Sequence, residues 1–367
     1  MPSHPTSSAR FNTKAVSTAA LPLWLRTLGT AAALILLILL FFACQGGARQ
    51  TRLKNPDFLQ QGDKIALISP SYYETPENIS QAAQVLRAAG FEPVIAPNTG
   101  NPYRRVYAGT PQERLEDLRW ALADPAIKAV ISNRGGYGTI QLLPKLKLQD
   151  FAQHPKWFIG FSDSTTLLGL QNRAGMMSIH GPMSRTIATH PQDRSTILLL
   201  DLLKGRVPRY ALPPHPGNLK GRAQGVLVGG NLSTLCANLG SIADPTALSS
   251  DLILFIEDIE ETARNLDRLL CMLALQGVLA RCRGVILGDF TACESDFDYT
   301  SAEALIRDHV KALGIPLMCG FPAGHERVNL PLVMGSQVTL EVGDDGALLE
   351  FDLGSETAQV YTASETH

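Results

Sequence analysis

At 367 residues and 45% hydrophobic content, the chain has enough apolar material for a sizeable core, and its length argues for two domains. A balance of 32 basic against 34 acidic residues, with a formal net charge of −2, lacks the electrostatic footprint of a nucleic-acid-binding protein. Cys44, Cys236, Cys271, Cys282, Cys293 and Cys319 form no CxxC pair and no zinc-type spacing, which argues against metal binding through cysteine.

Arg10, Lys14 and Arg26 precede the uncharged run "LGTAAALILLILLFFAC", residues 28 to 44. A basic segment followed by an apolar one is the layout of an export signal. The run is slightly short for a membrane span of roughly 20 residues, so it reads as an export signal, with a signal anchor as the alternative. "FFAC" loosely resembles a lipobox ending at Cys44, and "QGGARQTRLKNP" after it reads as a linker. Residues 1–62 are therefore assigned to export or anchoring, and the expected location is the periplasmic side of the cell envelope.

From Asp63 the texture changes. "KIALISPS" has the apolar run of a buried strand. "ENISQAAQVLRAAG" places Ile79, Ala82, Ala83 and Leu86 at helical spacing and stops at Gly90. "FEPVIAP" (strand), "PQERLEDLRWALADP" (helix), "IKAVISN" (strand), "TIQLLPKL" (short helix), "KWFIGFS" (strand) and "SDSTTLLGLQNRAG" (helix) follow. This alternation predicts βαβ units in an α/β fold with a mostly parallel sheet, over residues 63–205. "KGRVPRYALPPHPGNLKGRA" has no periodicity, and an inter-domain linker is placed at 206–221. Beyond it, "AQGVLVGGN", "DLILFIED", "CRGVILGDF" and a hairpin closed by Gly343–Gly346 read as strands. With two intervening helices, they predict a β-rich C-terminal domain at 222–356.

Three stretches could carry chemistry. In "GFSDSTTLL", Ser162 stands where a strand meets a helix, either as a helix cap or as the serine of a nucleophile elbow. The stretch by itself favours the cap. "NRGGYGT", 133 to 139, is a glycine loop after a strand. It lacks the spacing of a phosphate or dinucleotide loop, but it could bring backbone N–H groups to a reacting oxygen. In "FIEDIEE", Glu257 follows four apolar residues, and in "GHERVN", His325 sits in a loop. Alone, these read as a strand-end carboxylate and a solvated histidine.

Taken in order, "RVYAGTPQERLEDLRWALADPAIKAVISNRGGYG", "FIGFSDSTTL", "IHGPM", "GGNLSTL", "LFIEDIEE", "NLDRLL", "GVILGDF" and "GHERVNLPLVMGSQVTL" resemble the LD-carboxypeptidase family of serine peptidases. That family includes the microcin-C immunity peptidases, and the resemblance runs from about Lys64 to Leu353. It implies an α/β nucleophile domain, a β-rich second domain and a triad in the order Ser–Glu–His, here Ser162, Glu257 and His325. The N–H groups of Asp163 and Gly136 are the implied oxyanion donors. No metal or cofactor is implied, and a homodimer is.

The implied substrate is the tetrapeptide stem of peptidoglycan or muropeptides, cut before its terminal D-alanine. Two rival readings are an immunity-type peptidase acting on a peptidyl-nucleotide antibiotic and a non-catalytic muropeptide-binding envelope protein. Because Ser162 precedes the linker and the other two residues follow it, the site is expected between the domains, with closure aligning a triad that is apart when empty.

Overall fold

Runs such as KIALI, IKAVIS and WFIG show no alternation of apolar and polar residues, which suits strands covered on both faces. In the computed structural model, which describes residues 52–295, 299–354 and 359–363, these runs form the middle of a parallel sheet. Its parallel strands are β1 (Lys64–Ile68), β2 (Glu92–Ile95), β5 (Ile127–Ser132), β6 (Trp157–Gly160) and β7 (Ser178–His180). A small separate hairpin, β3 (Pro102–Tyr103) and β4 (Tyr107–Ala108), lies between β2 and β5 in sequence.

The second sheet uses β8 (Arg206–Leu212), β9 (Gly221–Asn231), β10 (Leu252–Ile259), β11 (Cys282–Thr291) and β12 (Leu317–Met318). After β13 (Leu332–Met334), it continues through β14 (Gln337–Val342), β15 (Ala347–Asp352) and β16 (Gln359–Ala363). The strand orders are β13-β7-β6-β5-β1-β2 and β12-β11-β10-β9-β14-β15-β8-β16. In the first sheet, the strands from β7 to β2 run parallel.

Local signals set the helix starts. Helix α1 (Pro76–Ala88) has Pro at its first turn and Thr75 as N-cap, and it buries Ile79, Ala82, Ala83 and Leu86 as the spacing predicts. Helix α2 (Pro111–Ala123) opens with a reciprocal capping box between Thr110 and Glu113. Helix α3 (Thr165–Arg173) follows β6 through one 3₁₀ turn at Ser162–Ser164. The predicted hairpin also forms: β14 and β15 pair antiparallel from Gln337–Asp352 to Val342–Ala347, and the Gly343 N–H donates to the Gly346 carbonyl at 2.8 Å.

Two features differ from the sequence reading. Arg206–Leu212, read as linker, is strand β8, paired with β15 and β16. Its Val207 and Tyr210 side chains are buried, and the Tyr210 hydroxyl donates to the Pro331 carbonyl at 2.8 Å. Those partners come late in the chain, so nothing local marks the segment as a strand. In addition, β13 pairs antiparallel with β7, so the C-terminal segment completes the N-terminal sheet.

One apolar cluster takes Ile65, Leu67, Ile159 and Ile179 from the first sheet and Leu227, Ile253, Phe255 and Leu340 from the second. The described residues from Arg52 onwards accordingly form one unit. No helix among the described residues is long and apolar enough to cross a membrane, and the apolar run at 28 to 44 lies outside them.

Candidate active site

The strand-to-helix turn after β6 puts Ser162 at φ +59°, a left-handed conformation that a non-glycine residue adopts only when its surroundings hold it there. This is the strained geometry of a nucleophile elbow. Asp163 holds the turn. Its side chain accepts from the Ser71 hydroxyl at 2.5 Å and from the Thr139 N–H at 2.9 Å, while its carbonyl accepts from the Thr139 hydroxyl at 2.7 Å. The serine turn is thereby tied to the loop after β1 and to the glycine loop after β5.

That glycine loop lies directly against Ser162. A Cβ on Gly135 would stand 3.0 Å from Ser162 Cβ and 3.1 Å from its Oγ, whereas one on Gly136 would run into the Tyr72 ring. The residue pressed against Ser162 is thus Gly135, next to Gly136, whose N–H is the expected oxyanion donor. Gly135→Ala is expected to push the hydroxyl out of line and lower kcat by about 10²-fold, the scale of a roughly 1 Å misplacement. An unchanged kcat in a folded variant would show that this close approach is irrelevant.

Glu257 stands near the carboxyl end of β10, beside a register irregularity. Ile256 pairs with Leu287 but Asp258 pairs with Phe290, so Gly288 and Asp289 of β11 together oppose Glu257. Such a bulge re-aims side chains at a strand end. The Glu257 carboxylate is completely buried, and Oε2 accepts from His325 Nδ1 at 2.7 Å. His325 Nε2 lies 3.0 Å from Ser162 Oγ. The geometry sets the tautomer: with the proton on Nδ1, Nε2 is left to accept from the serine.

All three predicted residues therefore meet in one hydrogen-bonded chain, already aligned without the closure that the sequence reading anticipated. Gly324, at φ +147°, lets the histidine loop approach, because a Cβ there would sit 3.1 Å from Glu257 Oε2 and 3.0 Å from Asp289 Cβ.

Burial disfavours an imidazolium at His325, but the Glu257 hydrogen bond and the nearby carboxylates of Glu257, Asp258 and Asp289 outweigh it, and the pKa lies above the ordinary histidine value. Glu257 is itself raised, because complete burial outweighs the attraction of His325. Burial and the charges of Glu326 and Glu257 push Asp289 up to about 6.

Two polar residues that sequence reasoning left without a role support the histidine loop. Asn329 Oδ1 accepts from the Gly324 N–H at 3.2 Å and lies 3.2 Å from His180 Nε2. The shared acceptor puts the His180 proton on Nε2. Complete burial then holds that ring neutral, with its pKa lowered to about 3. Asn329 is anchored in turn by its own N–H, which donates to Ser195 Oγ at 2.7 Å. Phe161 packs its ring 5.1 Å from His325 and 5.8 Å from His180. Both polar residues occur inside quoted motifs, "IHGPM" and "GHERVN", but only the fold shows what they touch.

Away from the triad, His215, Glu303 and Cys319 bring their possible ligand atoms within 4.8 Å of one another, as do Asp267, Cys271 and His309. In the first group, His215 Nδ1 already accepts from the Gly217 N–H at 3.1 Å. Neither group includes a triad residue.

Residues 65–181 match the LD-carboxypeptidase N-terminal domain and residues 224–340 the LD-carboxypeptidase C-terminal domain. The chain belongs to the LD-carboxypeptidase family. It is 33% identical over 290 residues to the murein tetrapeptide carboxypeptidase of Pseudomonas aeruginosa, covering 76% of this chain and 93% of that protein. It is 27% identical over 319 residues to the microcin C7 self-immunity protein of Escherichia coli, covering 77% and 92%.

The crystal structure of the muramoyltetrapeptide carboxypeptidase from Oxalobacter formigenes superposes with a TM-score of 0.70 at 28% identity, covering 78% of this chain and 98% of that one. An LD-carboxypeptidase family member is thus expected to carry a peptidase site, and the Ser162–His325–Glu257 chain lies within the two matched domains.

Proposed function

We propose that the protein is a serine-type LD-carboxypeptidase that releases the terminal D-alanine from the tetrapeptide stem of peptidoglycan or muropeptides. The single observation that carries this reading is the Ser162–His325–Glu257 hydrogen-bonded chain, with the serine on a strained turn. Ser162 Oγ attacks the scissile carbonyl carbon as His325 Nε2 takes its proton. Glu257 holds the ring and stabilises the imidazolium. N–H groups from Asp163 and the Gly135–Gly136 segment would receive the developing oxyanion. The C–N bond then breaks, and His325 returns the proton to the amine of D-alanine. Water hydrolyses the acyl-enzyme by the same proton route.

The murein peptide relatives support the substrate class. The apolar run at 28 to 44 supports an exported or anchored form that works on stems in the envelope. Mass spectrometry of a purified stem tetrapeptide after incubation should show loss of one alanine, with fluorophosphonate labelling abolished by Ser162→Ala. A labelled enzyme that cleaves only a peptidyl-nucleotide would favour the immunity-type reading. Muropeptide binding with neither labelling nor turnover would favour a binding protein.

The pH dependence follows from the histidine. Its raised pKa means that the proton binds Nε2 at a higher pH than in a free imidazole, and the protonated ring cannot accept from Ser162. On the acid side, kcat/KM should therefore fall with a midpoint above the ordinary value of about 6.5. A pH–rate profile with its acid midpoint below that value would contradict the Glu257–His325 coupling.

A further inference from the structure

We propose that Arg185 is the specificity-determining cation that receives the terminal carboxylate of the substrate. The inference rests on the carboxypeptidase reading above. An enzyme that removes only a terminal residue must sense the free carboxylate, whose carbon lies just three bonds beyond the scissile carbonyl carbon. The group that reads it must therefore stand beside Ser162.

Arg185 belongs to helix α4 (Ser184–Thr189), whose start runs along the glycine loop. The Arg185 N–H donates to the Asn133 carbonyl at 3.1 Å. Two residues earlier, Met183 Cε stands 3.5 Å from where a Gly135 Cβ would be, itself 3.1 Å from Ser162 Oγ. Asn133 is two residues from Gly135, a separation of at most about 7 Å along the chain. An arginine side chain can cover that span.

The guanidinium is held ready by a buried acid. Glu74 is 2% exposed. Its Oε1 accepts from the Thr75 N–H at 3.0 Å and from Asn78 Nδ2 at 2.9 Å. Its Oε2 makes no hydrogen bond and lies 3.7 Å from Arg185 Nε, on a side chain that is half-exposed. A buried carboxylate needs a cation nearby. Arg185 supplies one from its Nε edge, and among the described residues its two Nη groups make no hydrogen bond. Those groups form the fork that binds a carboxylate with two parallel bonds.

The neighbouring arginines are committed elsewhere. Arg134 donates to the Tyr73 carbonyl at 3.2 Å and lies over the Tyr72 ring at 5.8 Å. Arg327 makes two bonds of 2.9 Å to Asp193.

The test uses the full-length protein and two peptides, the stem tetrapeptide ending in D-alanine and the same peptide ending in D-alaninamide. The wild type is expected to prefer the free acid. Arg185→Ala should lower kcat/KM for the acid by roughly 10- to 100-fold, mainly through KM, the scale of a charge-assisted pair. The amide should be affected little, so the preference collapses. Arg185→Lys, which keeps the charge without the fork, should fall between the two. Fluorophosphonate labelling of Ser162 reports whether the triad is assembled; should Arg185→Ala fail to label, the acid-to-amide ratio of Arg185→Gln decides. A labelled variant that keeps the wild-type ratio overturns the role of Arg185 and leaves the carboxypeptidase reading intact. A wild type that releases no D-alanine from the acid overturns the reading and this inference together.

Discussion

Ser162→Ala and His325→Ala are each expected to reduce turnover of the stem tetrapeptide by about 10³-fold or more, and the double variant should be scarcely worse than either. The non-additivity follows from the 3.0 Å contact between Nε2 and Oγ. Removing the hydroxyl takes away the proton that the imidazole would accept, and removing the imidazole leaves a hydroxyl that stays protonated at neutral pH. Residual turnover would come from the oxyanion donors and substrate positioning, which neither change touches.

Stability should respond differently. His325 sits in a loop and is mostly buried, so its truncation is expected to cost a modest part of the folding free energy; Ser162→Ala keeps a Cβ in the same strained turn. Single-turnover kinetics with thermal unfolding separates the two effects. If the losses multiplied in the double variant, the serine and histidine would be acting in different steps, and the shared proton transfer would have to be abandoned.

Glu257→Gln is expected to be comparably severe, with kcat lowered by about 10³- to 10⁴-fold at neutral pH. The amide is almost the same shape, so the loss would come from charge and tautomer. A glutamine can turn its NH₂ towards Nδ1, which moves the imidazole proton to Nε2, where it blocks the serine. The stabilisation of the imidazolium is lost as well. The acid limb of the pH profile should move down, because the main group that raises the His325 pKa has been neutralised.

The neighbouring glutamates provide the control. Glu261 is engaged with the Ser233 hydroxyl at 2.8 Å and with Asn265 Nδ2 at 2.5 Å, and Glu260 follows the end of β10 with φ +57°. Their conversion to glutamine should leave the acid limb where it is. Near-normal activity in Glu257→Gln, with loss in Glu260→Gln or Glu261→Gln, would move the orienting role along the strand.

How much of this was legible in the sequence depends on the range of the interactions involved. The central strands of the first sheet, helices α1 and α2 and the terminal hairpin could all be read directly, because unbroken apolar runs, Pro at a first helical position and a glycine-bounded turn act within a few residues of themselves. Ser162, Glu257 and His325 could be named as candidates only through the order of several motifs along the chain. On local grounds, Ser162 reads as a cap and His325 as a solvated loop residue.

What the sequence could not express was set by contacts across long separations. Strand β8 looks like a linker because its partners are β15 and β16. The closeness of Gly135 to Ser162 depends on Asp163 tying two distant loops together. His180 and Asn329 gain their purpose only because β7 and the histidine loop meet at the edge completed by β13. The sequence by itself determined the α/β layout and the residue types available for chemistry. Only the tertiary structure decided their alignment, because 2.7 and 3.0 Å hydrogen bonds between residues 68 and 163 positions apart require a packed core that no local signal encodes.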